Sequence, residues 1–411
     1  MARSEGRAES ASGVAAPLAY VPFRALALGR SLMLFGNGMA HVALAFAVLD
    51  ATGSLAQVGL VVGARSAANV SLLLLGGVVA DRLPRSLVLR GACVLAAGSQ
   101  GFLALALLTG RASLPLMVVL SLVNGAAAAA NLPAAAASTP QTVPRHLLRQ
   151  ANALIGVAKH AGNLSGMSIG GVVVGAAGAG WAIAVDASMF AAAGVAFLFL
   201  RVSEQGGPVE RTSVLSDLRE GWGEFTARTW VWVVVLQFMV VNAGWAAATT
   251  VLGPGIADET FGRTTWGLLM AVNSVGLLTG GVLAARWQPR RALLYGVALV
   301  SVQTVPFFAL MGPSPLPLLF AAMFVAGVAV DQFIVAWEVS VQENVPQERL
   351  SRVYSYDAFG SFVAMPLGQI AVAPVAEGVG PDRALLLVAC STLSATLAAV
   401  AVPGVRALRR A

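Results

Sequence analysis

The chain predicts an all-α membrane protein of twelve transmembrane helices in two six-helix halves. Three observations carry that expectation. Hydrophobic residues make up 57% of the 411 residues and charged residues 11%, where soluble domains carry about 25% charge. The apolar residues fall into long runs, and the basic residues gather at alternate ends of those runs.

A bilayer-spanning helix needs about 20 mostly apolar residues. Twelve segments meet that need, near 25–49, 55–80, 87–108, 114–136, 151–176, 181–200, 230–253, 265–285, 292–311, 316–341, 353–376 and 384–404. Residues 1–23, rich in Ala, Ser, Gly and Arg, read as a disordered cytoplasmic tail with no cleavable signal peptide. The two halves are expected at 24–200 and 230–405, with a short tail at 406–411. Between them, 201–229 is the longest polar interruption. There Leu215, Leu218, Trp222 and Phe225 recur at helical spacing among Asp217, Arg219, Glu220 and Glu224, which predicts an amphipathic helix on the inner membrane surface.

Orientation follows from arginine. With the N-terminus inside, 20 of the 26 basic residues fall in the tails and inner loops. The outer loops hold Arg111, Arg263 and Arg383, and Arg30, Arg65 and Lys159 lie inside spans. Both termini are therefore expected in the cytoplasm of a multi-pass protein of the plasma or inner membrane. The net charge of +7 is explained by topology and contact with anionic lipid, so no nucleic-acid partner is expected. Cys93 and Cys390 sit singly in separate spans, and neither a disulfide nor a metal site is expected.

Two internal echoes suggest duplication. Val143-Pro144-x-x-x-Leu148 precedes span 5 and Val345-Pro346-x-x-x-Leu350 precedes span 11, at an offset of 202. At that same offset Gly166 pairs with Gly368 and Gly178 with Gly380. Repeats of this kind characterise secondary transporters.

Polar groups inside spans are costly and normally face a bundle interior or a water-filled cavity. In span 1, Arg30, Asn37 and His41 share one helical face; in span 10, Asp331, Glu338 and Gln342 repeat the spacing. Span 2 carries Arg65 and Asn69, span 4 Asn124 and Asn131, span 5 Lys159 and Asn163, and span 6 Asp186. Asn37, His41, Arg65, Asn124, Lys159, Asp186, Asp331 and Glu338 are thus candidates for a substrate or proton pathway. Each also has a structural explanation: snorkelling for Arg30, a local ion pair with Arg352 for Glu338, a buried pair for Asp331 or Arg65. Trp245 and Trp337 offer either stacking surfaces or ordinary packing.

The turn after span 2 reads Gly77-x-x-x-Asp81-Arg82-x-x-Arg85, with a partial copy from Gly280-Gly281 to Arg290-Arg291. With this motif, Phe35-Gly36-Asn37, Ala51-Thr52-Gly53-Ser54, Val143-Pro144 to Leu154, and Trp337-Glu338 through Pro366-Leu367-Gly368, the chain resembles the major facilitator superfamily. More narrowly it resembles the bacterial exporter branch with enterobactin exporters and macrolide-efflux proteins. The resemblance implies that Gly77, Asp81, Arg82 and Arg85 form a cytoplasmic latch for the outward-facing state. Pro84 and Ser86 depart from the pattern, where glycine and a basic residue are usual. It also implies export, because Gly162-x-x-x-Gly166-Met167-x-x-Gly170-Gly171 keeps the glycine spacing of an exporter motif with Met167 for its proline; the same glycines suit plain helix packing. The arginine of a span 4 motif common in proton-coupled drug exporters is replaced by Ser121.

The expected function is export of a small organic molecule (a drug, siderophore or other metabolite) by alternating access, driven by inward proton movement, by a monomer without a cofactor. An uptake permease and a non-transporting receptor or scaffold are the alternatives. No Gly-x-x-x-x-Gly-Lys-[Ser/Thr] run supports a primary pump and no His-Glu-x-x-His or nucleophile motif supports an enzyme. Intramembrane carboxylates serve in proton relays, so Asp331 is the first coupling candidate, with Asp186 and Glu338 behind it.

Overall fold

A computed structural model describes residues 15–408 except 83, 201–221, 224, 288, 347 and 348. Within these it describes the side chains of all but 73–82, 132, 133, 136, 137, 145, 149, 153, 160, 285, 351 and 352. The described residues are helical, joined by short turns. The first group of helices is α1 (Val21–Thr52), α2 (Leu55–Arg82), α3 (Arg85–Leu108), α4 (Leu114–Ser138), α5 (Leu148–Ala177) and α6 (Ala179–Leu198). The second is α7 (Thr229–Ala247), α8 (Gly253–Glu259), α9 (Arg263–Arg286), α10 (Ala292–Leu299), α11 (Thr304–Leu310), α12 (Leu316–Asn344), α13 (Leu350–Phe362), α14 (Met365–Val379), α15 (Pro381–Ala401) and α16 (Pro403–Ala407). Ten stretches of described helix are long and apolar enough to cross a membrane. Helices α2 and α5 are not among those ten, and both contain side chains outside the described set.

Three of the segments expected as single spans are interrupted, each beside a proline. Pro254 has no N–H to give the carbonyl one turn back, and Ala248–Leu252 forms a π-helical turn joining α7 to α8. Pro306 has the same effect on the segment near 292–311, where the 3₁₀ turn Val300–Gln303 joins α10 to α11. Pro366 occupies the first turn of α14, and the chain breaks at 363–364 between α13 and α14. The interhelical turns at Gly53, Gly178, Gly262 and Gly380 have φ of 64° to 93°, a region open to glycine.

The chain forms two compact units. One comprises residues 1–53 with 64–208, the other 54–63 with 209–411. The start of α2 thus belongs with the second unit. Glycine explains its fit there: side chains at Gly59 or Gly63 would run into the carbonyl of Gln369 and the side chain of Ile370. Most of 201–229 lies outside the described residues. At its end Phe225 is buried, and Trp222, Phe225 and Tyr356 pack ring to ring at 5.7 to 5.8 Å.

Each unit is seamed by glycines that let helix backbones touch, a packing mode suited to lipid. In the first unit Gly166 of α5 lies against the carbonyl of Phe35 in α1, and Gly125 of α4 against that of Arg65 in α2. In the second, Gly368 of α14 lies against the carbonyl of Ala243 in α7, and Gly327 of α12 against that of Asn273 in α9. Both glycine pairs are 202 residues apart and both carbonyl pairs 208 apart. The echo at Gly166 and Gly368 therefore marks one contact built twice.

Candidate functional site

The glycine contacts fix which side chains meet inside the first unit. With α2 pressed on α4 through Gly125, Arg65 reaches side chains on two other helices. Its Nε donates to Asn124 Oδ1 and its terminal nitrogen to Asn37 Oδ1, each at 2.9 Å. Two neutral amide oxygens thus hold a guanidinium that keeps its charge at any physiological pH. His41, one turn beyond Asn37 on α1, lies within electrostatic range of Arg65. Arg65, Asn37 and His41 are half-buried, whereas Asn124 is 2% exposed.

Asp186 of α6 lies beside this group and is fully enclosed, at 0% exposure. Its Oδ2 accepts a 2.6 Å hydrogen bond from Gln100 Nε2 of α3, while Oδ1 has no hydrogen-bond partner. The carboxylate packs on Gly36 of α1, where any side chain would strike Oδ1. Asp186 and Arg65 lie within electrostatic range of each other, but Arg65 is bonded to the two asparagines and Asp186 to Gln100.

Five of the eight pathway candidates, Asn37, His41, Arg65, Asn124 and Asp186, are therefore brought together. Arg30 shares their stripe on α1 but takes no part in these hydrogen bonds; it is half-buried. Lys159 is exposed on α5. Gly162, Gly166 and Gly170 lie against Ser31, Phe35 and Met39 of α1, and Gly171 is buried. The side chains of Asp81 and Arg82, and the surroundings of Gly77, lie outside the described residues; Arg85 is half-buried at the start of α3.

The remaining two candidates lie in the second unit. Asp331 is half-buried against Gly280 and Gly281 of α9, with its Oδ2 2.7 Å from where a Gly281 side chain would begin. Glu338 is exposed. In this unit one hydrogen-bonded acid is a residue that charge patterning did not single out, the half-buried Asp357. Asp357 accepts from Trp337 Nε1 at 2.9 Å and from Ser361 Oγ at 3.1 Å. Trp337, 6% exposed, also packs between Trp230 and Phe333, and Trp245 lies against Phe307. Both tryptophans are packing residues here. Gln100, the sole hydrogen-bond partner of Asp186 among the described residues, was missed because span 3 carries no interior charge; its only signal was an uncharged amide in the middle of an apolar run.

The repeat allows a position-by-position comparison. Gly36 on Asp186 has its counterpart in Gly244 on Val388, whose Cγ1 lies 2.9 Å from where a Gly244 side chain would begin. Arg65 and Asn124, at the Gly125 contact, correspond to Asn273 and Ala326 at the Gly327 contact. Asn273 donates to the carbonyl of Met323 at 2.9 Å. The backbone contacts repeat, but at these positions the charges stand in the first unit alone.

A family model of the Major Facilitator Superfamily matches residues 26–369. The chain belongs to the Major Facilitator Superfamily. Among curated relatives, the enterobactin exporter EntS of Shigella boydii serotype 18 is 29% identical over 388 residues, 89% of each chain. That of Escherichia coli O81 is 28% identical over the same coverage. Among solved structures, the nucleoside transporter NupG superposes with a TM-score of 0.74 at 17% identity, covering 92% of this chain and 98% of its own. An inward-facing bacterial homolog of the human lysosomal transporter Spinster gives 0.74 at 17% identity, covering 92% and 95%. At such identities the solved structures speak for the fold. The protein is an integral membrane transporter of this superfamily, similar along most of its length to exporters.

Proposed function

We propose that the protein is a twelve-span secondary transporter, with both termini cytoplasmic, that exports a small organic molecule in exchange for protons. Similarity to enterobactin exporters over 89% of both chains supports the outward direction and a polar metabolite or drug as cargo. The glycine pattern of α5, packed on α1, is compatible with the same reading. The halves alternate access to the cargo, and the Asp81-Arg82 turn acts as the cytoplasmic latch.

The observation that carries coupling is the enclosed Asp186. A carboxylate can take up and release a proton, and this one is removed from water with one oxygen unpaired. We therefore put Asp186 beside Asp331 as the proton-carrying residue. A deletion strain screened across drug and metabolite classes identifies a cargo by its accumulation, and proteoliposomes then measure its movement under an imposed pH gradient. Asp186→Asn, which keeps shape and the Gln100 contact, is expected to abolish gradient-driven transport while preserving the folded protein. Normal transport by this variant and loss of transport in Asp331→Asn would return the role to Asp331. Normal transport by both would remove proton coupling through either.

A further inference from the structure

Arg65 is a permanent cation in a membrane interior, and the fold does not require it. Charge inside a membrane-spanning segment is costly and normally finds an opposite charge or a water-filled cavity, whereas the hydrogen-bond acceptors of Arg65 among the described residues are two neutral amides. Guanidinium has five N–H donors in a planar fork; the amides of Asn37 and Asn124 take two of them. Asp186, the acid nearest in electrostatic terms, is enclosed behind Gly36 and bonded to Gln100. The charged side chains of α1–α6 away from helix ends are Arg30, Arg65, Lys159 and Asp186. The three cations are half-buried or exposed and the one acid is sealed, so the accessible charge within these helices is positive. The second unit makes the same helix contact with Asn273 and Ala326 in place of Arg65 and Asn124. The charge is thus an addition to the repeat rather than a condition of its packing.

We propose that Arg65, aimed by Asn37 and Asn124, is the docking point for an anionic oxygen group on the cargo, so that the exported class is organic acids. The two asparagines hold one edge of the fork and leave the other donors for a carboxylate or comparable anion, the geometry in which arginine binds best. This rests on the transporter reading above, and names the class of molecule that the site takes. A phospholipid headgroup shares the chemistry and is separated from cargo in the test.

The test uses the purified full chain in neutral phosphatidylcholine nanodiscs, with binding read by tryptophan fluorescence. The probes are 2-naphthoate, its methyl ester and 2-naphthylmethylamine, three charges on one shape. Naphthoate is expected to bind at least tenfold more tightly than the ester, and the amine most weakly. Arg65→Gln should reduce naphthoate to the level of the ester, and Arg65→Lys should keep part of the preference. Should Arg65→Gln fail to fold, Asn124→Asp places an internal carboxylate on the guanidinium and should remove the preference equally. No preference for the acid in the unaltered protein, or an undiminished preference in the variants, overturns the proposal. Displacement of naphthoate by phosphatidylglycerol overturns its assignment to cargo. An acid preference in a protein that moves no compound across vesicle membranes would leave the site standing and remove the exporter reading. Export of a cationic drug undisturbed by Arg65→Gln would do the reverse.

Discussion

Gly36 and Gly244 occupy matching places in the two units and meet opposite partners. Gly36 is pressed by the carboxylate of Asp186, and Gly244 by a methyl of Val388. The same division holds at the α2–α4 and α9–α12 contacts, where Arg65 stands against Asn273. One framework thus tolerates either a charge or an apolar group at the same spot. Acid and base belong to the first unit's version of the framework, whereas the glycines beneath them belong to both. The second unit has its own acid, the half-buried Asp357, and gives both its oxygens a donor. Asp186 has one donor and one unpaired oxygen. A satisfied carboxylate serves as structure; a half-satisfied one is available for exchange.

The largest effect should come from the shared framework. Gly166→Val and Gly368→Val drive a branched side chain into a backbone carbonyl, which cannot move aside. Overpacking typically costs about 1–3 kcal/mol even where side chains can yield, so both variants should lose the monodisperse peak on detergent gel filtration. A large difference between them would break the equivalence of the two contacts.

Exchanging the partners of Gly36 and Gly244 sharpens the contrast. Val388→Asp places a charge at a half-buried position in the second unit and should destabilise it, read as a lowered thermal unfolding midpoint. Asp186→Val removes a buried charge and should leave that midpoint unchanged or higher, although transport is lost. If Asp186→Val unfolds the protein as badly as Val388→Asp, the acid is structural and the distinction between the units fails.

The smallest effect tests the satisfied carboxylate. Trp337→Phe keeps the ring among Trp230 and Phe333 and removes one hydrogen bond to Asp357, worth about 1.5–3 kcal/mol for a charged acceptor. A modest fall in melting temperature with transport retained is expected. A loss of transport as complete as that of Asp186→Asn would place Asp357 in the mechanism too.

Much of this fold was legible because a membrane imposes a simple grammar of runs of about 20 apolar residues. The repeat was legible through Gly166 and Gly368, since a backbone contact allows no other residue. The interior charges were visible one at a time, but their grouping was not. Arg65 meets Asn37 and Asn124 across 28 and 59 residues of chain, and Asp186 meets Gln100 across 86, distances over which periodicity carries no signal. The breaks beside Pro254, Pro306 and Pro366 were hidden for another reason. Membrane helices accommodate proline by several routes, so its presence does not say whether the rod kinks, tightens or swells.

The swelling at Ala248–Leu252 bears on how this chain can change its length. A five-residue turn holds one residue more than an α-helix needs, so it behaves as an insertion already absorbed. Removing a single residue there should restore regular helix and leave Gly253 facing Trp266 and Gly255 facing Leu55. The same deletion in a regular stretch of α7 would rotate everything after it by about 100°, one residue's share of a 3.6-residue turn. The segment is a built-in allowance for gaining or losing a residue without re-registering the helix.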